Sequence, residues 1–267
     1  MNTRIIQVDA FTHQPFRGNP AGVCLLEGQA SAAWMQAVAA EMNLSETAFL
    51  CPHSDGFDIR YFTPLVEVPL CGHATLASAH VLWEESLAST DGPIPLQAPA
   101  GPLTARRESD WICLDFPAYP VSPAGSPVDL AGVLGAEPQA VHRLPTHGYL
   151  LELDSEDTVR DLQPDFSGMR RQQLGGVIVT ARCDGTKYDF VSRFFAPDIG
   201  IDEDPVTGVA HCSLGPYWAD RLGKRELVGH QVSRRGGVVR VRVRGSRVDI
   251  LGQAVTVIRG HIASETL

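Results

Sequence analysis

The chain has 267 residues, of which 44% are hydrophobic and 20% charged, with a formal net charge of −9 at pH 7 and a pI near 5.4. This apolar content excludes a disordered chain, and the acidic balance argues against nucleic acid or an anionic membrane as partner, since both demand a basic face. There is no run of eighteen apolar residues and no charged-then-apolar leader at Met1-Asn2-Thr3-Arg4, so a cytosolic protein that does not span a membrane is expected.

In chain order, Arg4 to Phe11 alternates apolar and polar positions and predicts a strand; Gly18-Asn19-Pro20 marks a turn, and Ala21 to Leu26 a second strand. Ser31 can cap a helix over Ala32 to Met42, with Trp34, Ala37, Val38 and Met42 on one face, and Asn43 ends it. Thr47 to Leu50 and Phe57 to Phe62 read as strands, which leaves Glu46 where a loop enters a strand. From Gly72 the pattern Ala74, Leu76, Ala77, His80, Val81 predicts a helix that is apolar nearly all round, as suits a helix enclosed by a sheet. Three strands follow at Ile94 to Gln97, Leu103 to Arg106 and Trp111 to Phe116, and the proline-rich segment Pro117 to Pro127 is the linker candidate.

The second half predicts a short helix near Val128 to Leu134, strands at Val141 to Leu144 and Tyr149 to Leu153, and a helix led by Asp154-Ser155-Glu156-Asp157 that runs to Leu162. Strands at Val177 to Thr180 and Tyr188 to Phe194 lead to a long helix, Thr207 to Arg221, ended by Gly223, and four more strands run to Arg259. Within this stretch the basic run Arg234-Arg235 to Arg240, Arg242, Arg244 and Arg247 alternates with valines, the pattern of solvated strand faces. The absence of regular strand–helix alternation speaks against a dinucleotide-binding fold.

One outline occurs twice. Arg60-Tyr61-Phe62-Thr63-Pro64 followed by Cys71-Gly72-His73-Ala74, and Arg193-Phe194-Phe195-Ala196-Pro197 followed by Thr207-Gly208-Val209-Ala210, lie half a chain length apart. The expectation is an α+β protein of two similar domains, 1–117 and 118–267, each a curled mixed sheet around a central helix, with the last strand free to return to the first domain and a site in the cleft between them. Glycine-opened helices at Gly72 and Gly208 offer free N–H groups and a positive dipole end to an anion, worth only ~0.3–1 kcal/mol per charge at an exposed surface. His73, at the second position of its helix, is expected to stay neutral there and to hydrogen-bond, whereas His211, a turn inside the second helix, reads as a packed core histidine. Asp204 stands within reach of an N-cap position after Asp202 and Glu203; capping and binding of a substrate amine both remain open. Spacing alone gives no reason to select Glu46.

Cys71 and Thr207 hold matching places, and threonine cannot serve as the second thiol of a two-thiol racemase. The six cysteines contain no C-x-x-C pair, so neither a disulfide framework nor a zinc knuckle is suggested; a set of Cys71, His73, His211 and Cys212 lacks standard metal-ligand spacing.

The blocks Val8-Asp9-Ala10-Phe11, Phe16 to Val23, Leu44-Ser45-Glu46-Thr47-Ala48-Phe49, Arg60 to Pro64, Glu67-Val68, Leu70 to Thr75 and Arg193 to Cys212 resemble, in order, those of the phenazine-biosynthesis PhzF-like proteins within the diaminopimelate epimerase-like fold. The resemblance implies a cytosolic homodimer and chemistry without cofactor or metal on a small carboxylate-bearing substrate. It further implies that Glu46 shuttles a proton, as its counterpart does within a dihydro-hydroxyanthranilate when a double bond moves, and that His73 and Asp204 hold the substrate, whose carboxylate is expected at Gly72, His73, Gly208 and Val209. A serine often follows the Thr-Gly pair in that family; here Val209 stands in its place, one hydroxyl fewer in a set whose polar bonds decide which substrate is accepted. The expected activity is that of a cofactor-independent isomerase with Glu46 as acid and base. Two other readings stay open: a non-catalytic small-acid binding or regulatory protein, and epimerisation through Glu46 and Cys71.

Overall fold

The computed structural model describes residues 3–125 and 129–263. Pro127 at the end of the predicted linker and Val128 at the start of the predicted short helix lie outside the described residues. The chain forms two compact units, one running to Phe116 and resumed from Leu251, the other spanning Pro117–Ile250.

The first unit contains β1 (Thr3–Ala10), β2 (Asn19–Leu25), α1 (Ala32–Met42), β3 (Glu46–His53), β4 (Gly56–Phe62), the two-residue β5 (Glu67–Val68), α2 (Gly72–Glu84), β6 (Ile94–Ala98), β7 (Gly101–Glu108), β8 (Trp111–Pro117) and the C-terminal strand Ala254–Ile262. α1 begins where expected: Ser31 Oγ accepts the Trp34 N–H, and Asn43 closes the helix in the left-handed region at φ 49° with its N–H on the Ala39 carbonyl. Its buried face, Trp34, Met35, Val38 and Ala39, joins Phe49 and Phe62, with Phe49 edge-on to both Trp34 and Phe62.

The sheet is mixed. The C-terminal strand pairs antiparallel with β1 and β1 with β2; β2 and β3 are parallel, β3 and β4 antiparallel, β4 and β6 parallel, and β6, β7 and β8 follow antiparallel. α2 packs on β1, β2, β3, β7 and the C-terminal strand. Gly72 to Ala79 and Val81 to Trp83 are all buried, the outcome expected of a helix apolar on every side. Small residues let sheet and helix close on each other: a Cβ at Gly252 would stand 2.4 Å from Phe11 and 2.6 Å from Leu76 of α2.

The second unit contains β9 (Ser122–Pro123), α3 (Leu130–Leu134), β10 (Ala140–Arg143), β11 (Gly148–Glu152), α4 (Glu156–Asp161), α5 (Phe166–Gln172), β12 (Gly176–Arg182), β13 (Phe190–Phe195), a 3-10 turn at Pro197–Ile199, α6 (His211–Leu222), β14 (Glu226–Gln231), β15 (Gly237–Arg244) and most of β16 (Arg247–Gly252), whose last two residues belong to the first unit. It repeats the pairing scheme of the first: β11 and β12 parallel, β12 and β13 antiparallel, β13 and β14 parallel, β14 and β15 antiparallel. α6 falls between β13 and β14 as α2 falls between β4 and β6, and it packs on β14 and β15. Here a Cβ at Gly215 would meet Val241 at 2.5 Å.

Several expectations need correction. α6 starts at His211, not at Thr207; Gly208 to Ala210 form a turn closed by i to i+3 bonds, with the N–H groups of His211, Cys212 and Ser213 on the carbonyls of Gly208, Val209 and Ala210. α5 has no strong sequence signal, because only Phe166 and Met169 of its apolar residues share a face; packing of Phe166 on Phe195 and burial of Met169 hold it. The proline-rich linker contains a short strand, β9, paired with β10. The arginine–valine alternation holds in β15, where Val239, Val241 and Val243 are buried and Arg240 and Arg244 exposed, yet Arg242 and Arg244 also clasp Asp249, which is 1% exposed.

The echoed arginines turn out to be fasteners. Arg60 binds both carboxylate oxygens of Glu67 at 2.7 Å and stacks over Phe62; Arg193 binds both oxygens of Glu203 at 2.7 and 3.1 Å and stacks over Phe195. Arg193 is the more deeply placed, and its Nη1 also donates to the carbonyls of Val159, Arg160 and Leu162. No helix among the described residues is long and apolar enough to cross a membrane.

Candidate active site

In the first unit the parallel pairing of β2 with β3 sets Ala21 opposite Glu46, so that Glu46, the first residue of β3, and Asn19, the first of β2, enter the sheet at the same end. Buried Asp9 accepts the Phe16 N–H at 2.6 Å and anchors the loop that leads into Asn19. Cys71, extended at φ −143° and ψ 117°, precedes the first turn of α2 without a side-chain cap. Its carbonyl accepts from the Thr75 N–H and from Thr75 Oγ1, and Tyr61 of β4 shares a 2.6 Å hydrogen bond with that same hydroxyl. The start of the helix is thereby pinned to the sheet.

These elements bring together Glu46, Cys71 and His73, with Gly72 between the last two. His73 Nε2 lies 3.2 Å from Glu46 Oε2, while Nδ1 lies 3.2 Å from Asn19 Nδ2 and 3.4 Å from Cys71 Sγ. The His73 side chain is 5% exposed and that of Glu46 13%. Burial pushes the His73 pKa down to about 3, so the ring is neutral across the physiological range. The arrangement is a carboxylate and a neutral imidazole in hydrogen-bond contact at a helix N-terminus, which can hold an anion and exchange a proton.

One donor atom each from Glu46, Cys71 and His73 lie within 4.8 Å of one another, close enough to hold a metal ion; this is a different set from the cysteines and histidines weighed in the sequence. The imidazole turns Nε2 to Glu46 and Nδ1 to Asn19, with Cys71 Sγ 3.4 Å from Nδ1 and 4.0 Å from Nε2.

In the second unit the acidic trio divides. Asp202 pairs with Arg170 at 2.7 Å and Glu203 with Arg193, while Asp204, 7% exposed, accepts the Thr207 hydroxyl on Oδ2. Gln231, fully buried, donates to the Asp204 carbonyl at 2.8 Å and accepts the Thr207 N–H at 2.9 Å. Gly208 is buried and Val209 half-buried. His211 is the first residue of α6 and not a turn inside it; it is fully buried, its Nδ1 is 2.9 Å from the Thr207 carbonyl, and burial lowers its pKa to about 4. Asn19 and Gln231 were both missed in the sequence: Asn19 reads as part of a Gly-Asn-Pro turn, and Gln231 as the polar end of a strand. A cavity of about 390 Å³ in the first unit, lined by His80, Trp83, Arg107 and Trp111 among others, contains none of the predicted site residues.

The sequence profile of the family described as phenazine biosynthesis-like protein, PhzC-PhzF, matches residues 8–260. An uncharacterized isomerase of Halalkalibacterium halodurans is 50% identical over 98% of this chain and 99% of its own length, and a mouse phenazine biosynthesis-like domain-containing protein is 41% identical over 99% of this chain and all of its own. Among solved structures, a phenazine biosynthesis protein of the PhzF family from Enterococcus faecalis superposes with a TM-score of 0.93 at 38% identity, covering 99% of this chain and 100% of that one. A probable proline racemase from Agrobacterium radiobacter, at 12% identity and a TM-score of 0.62 over 98% of this chain and 93% of its own, shares the fold, which is diaminopimelate epimerase-like. A profile that spans nearly the whole sequence, with relatives alike from end to end, means that the chain belongs to the phenazine biosynthesis-like, PhzC-PhzF, protein family.

Proposed function

We propose that the protein is an isomerase that needs no cofactor and moves a proton next to the carboxylate of a small substrate, with Glu46 as acid and base. The observation that carries this reading is the contact of Glu46 Oε2 with His73 Nε2 at 3.2 Å, at the N-terminal turn of a buried helix. The names of the relatives as isomerases support the class.

In the forward step the Glu46 carboxylate takes a proton from carbon; the C–H bond breaks, an O–H bond forms, and the electron pair spreads toward the substrate carboxylate. Glu46 then returns the proton at a second carbon, which shifts a double bond; epimerisation instead has a second acid give its own proton to the first carbon from the other face while Glu46 keeps the one it took. The substrate carboxylate is held by the N–H groups of Gly72 and His73 at the positive end of α2. Of the second unit, Asp204 enters the proposal through the family resemblance as a substrate-holding residue, with Thr207 acting through it, and Gly208 and Val209 enter as backbone N–H donors to the substrate carboxylate. Cys71 is the alternative second acid, and assembly as a homodimer is proposed on the same family ground.

The test is wash-in of solvent deuterium into a panel of amino and hydroxy acids by the purified protein. Glu46→Gln should slow exchange by ~10²–10⁴-fold; full exchange in that variant refutes Glu46 as the base. Racemised product from the unaltered protein, with exchange abolished in Cys71→Ala, would favour the Glu46–Cys71 pair. The competing reading, a binding protein without catalysis, is favoured by Val209, which lacks the hydroxyl that a polar substrate contact would use; tight binding without exchange would establish it. Light scattering tests the dimer.

A further inference from the structure

We propose that Asn19 is a positioning residue that fixes His73 in one tautomer, with its proton on Nε2, so that the ring donates a hydrogen bond to Glu46. The proposal rests on the reading of Glu46 as the base. An amide nitrogen can only donate. Asn19 Nδ2 lies 3.2 Å from His73 Nδ1 in a fully buried contact, and a ring nitrogen that accepts a hydrogen bond carries no proton of its own. The ring is neutral in its dry setting, so its single proton is on Nε2, which faces Glu46 Oε2 at 3.2 Å. Cys71 Sγ, 3.4 Å from Nδ1, does not oppose this, because a thiol also donates.

The titratable groups around the ring come from three elements: Glu46 from β3, Cys71 from the segment before α2, and Tyr61 from β4, whose hydroxyl is held by Thr75. Glu46 Oε2 meets Nε2 at 3.2 Å, and Cys71 Sγ, nearer to Nδ1, stands 4.0 Å from Nε2. A hydrogen bond donated to a carboxylate favours its charged form, so the Asn19–His73 pair keeps Glu46 ready to accept a proton and aims it. The opposite tautomer would present a bare nitrogen to the carboxylate, a repulsive contact that Glu46 relieves only by binding a proton or turning away. The logic matches that of a triad in which a buried polar side chain chooses which imidazole nitrogen faces the reaction. Asn19 does this from the first residue of β2, with its Cα locked in the β1–β2 ladder opposite Ala10.

The tautomer can be read directly. In the full-length protein labelled with ¹⁵N-histidine, long-range ¹H–¹⁵N correlation separates protonated from bare ring nitrogens, and His73→Gln identifies the His73 signals. The proposal expects Nε2 protonated and Nδ1 bare in the unaltered protein, whatever happens in any variant; Nδ1 protonated overturns it. Asn19→Asp, whose carboxylate accepts where the amide donated, should place a proton on Nδ1 and lower kcat by ~10–100-fold, the loss usual for an outer partner of a working imidazole, with KM little changed. Asn19→Ser, which retains a donor, should recover part of the loss. If Asn19→Asp moves the proton to Nδ1 and kcat stays as it was, the positioning role is wrong. If the tautomer is as stated but Glu46→Gln still exchanges fully, the isomerase reading fails while the hold of Asn19 on the ring survives.

Discussion

The two helix starts that share a sequence outline do different work. At α2 the chain passes from extended Cys71 into Gly72, and the first turn sets His73 against a carboxylate. At α6 the chain first makes a tight turn through Gly208 to Ala210, the polar groups before it are knit together by Thr207, Asp204 and Gln231, and His211 Nδ1–H donates to a backbone carbonyl. Both histidines are buried and both are neutral for the same reason, desolvation. What separates them is the partner. On the proposed reading the imidazole on a carbonyl only holds structure, whereas the imidazole on a carboxylate serves proton transfer.

The largest expected effect that would break this comparison is catalytic. Glu46→Gln should remove ~10²–10⁴-fold of exchange, about 3–5 kcal/mol of barrier, while circular dichroism stays that of the parent; a comparable loss from His211→Gln would show that the two starts are not different in kind. Next comes stability at the two arginine fasteners. Arg193→Ala strips three carbonyls and Glu203 of their donor in a largely buried setting, and denaturant unfolding should register a loss on the order of 3 kcal/mol. The more exposed Arg60→Ala should cost about 1 kcal/mol or less.

The pH dependence sharpens the comparison further. Each histidine has a folded pKa near 3 or 4 against about 6.5 unfolded, so below pH 6.5 the unfolded chain binds a proton that the folded chain refuses. Each therefore stabilises the fold fully above pH 6.5, and that contribution is lost as the pH falls toward 4. His73→Gln and His211→Gln should each flatten the acid slope of stability by up to about 1.4 kcal/mol per pH unit, measured by urea titrations between pH 7 and pH 5, though only the first should alter kcat. Equal slopes in the variants and the parent would mean that the two rings are more accessible to water than their burial implies. The smallest effect is expected from Val209→Ser, within about 0.5 kcal/mol in stability but with a changed preference among exchanging acids.

Much of this was legible before any coordinates. Ser31 and Asn43 bracket α1 because capping chemistry is local, and the all-apolar face of α2 announced its burial. The alternating valines of β15 announced their inward face. What was hidden depends on which strands lie side by side. Asn19 matters because β2 runs parallel to β3 and so begins beside Glu46, and Gln231 matters because β14 runs parallel to β13 and ends within reach of Asp204; neither pairing is written in nearby residues. The start of α6 was misplaced because a glycine that opens one helix invites the same reading of its echo, whereas here three tight-turn bonds intervene. Glu46 itself came from family resemblance, since a single acid at a strand entry has no pattern of its own.

The antiparallel pairing of β1 with Ala254–Ile262 carries a consequence for biosynthesis. A nascent chain that has emerged as far as Ile250 holds every residue of the second unit but lacks a strand on which α2 packs. Contacts so distant in sequence form late, so the unit made mostly of the earliest residues should be the later to close. Glu46 and His73 are then held together only after Ala254–Ile262 has been made, and a ribosome stalled before that strand would display a folded second unit and an unclosed first one.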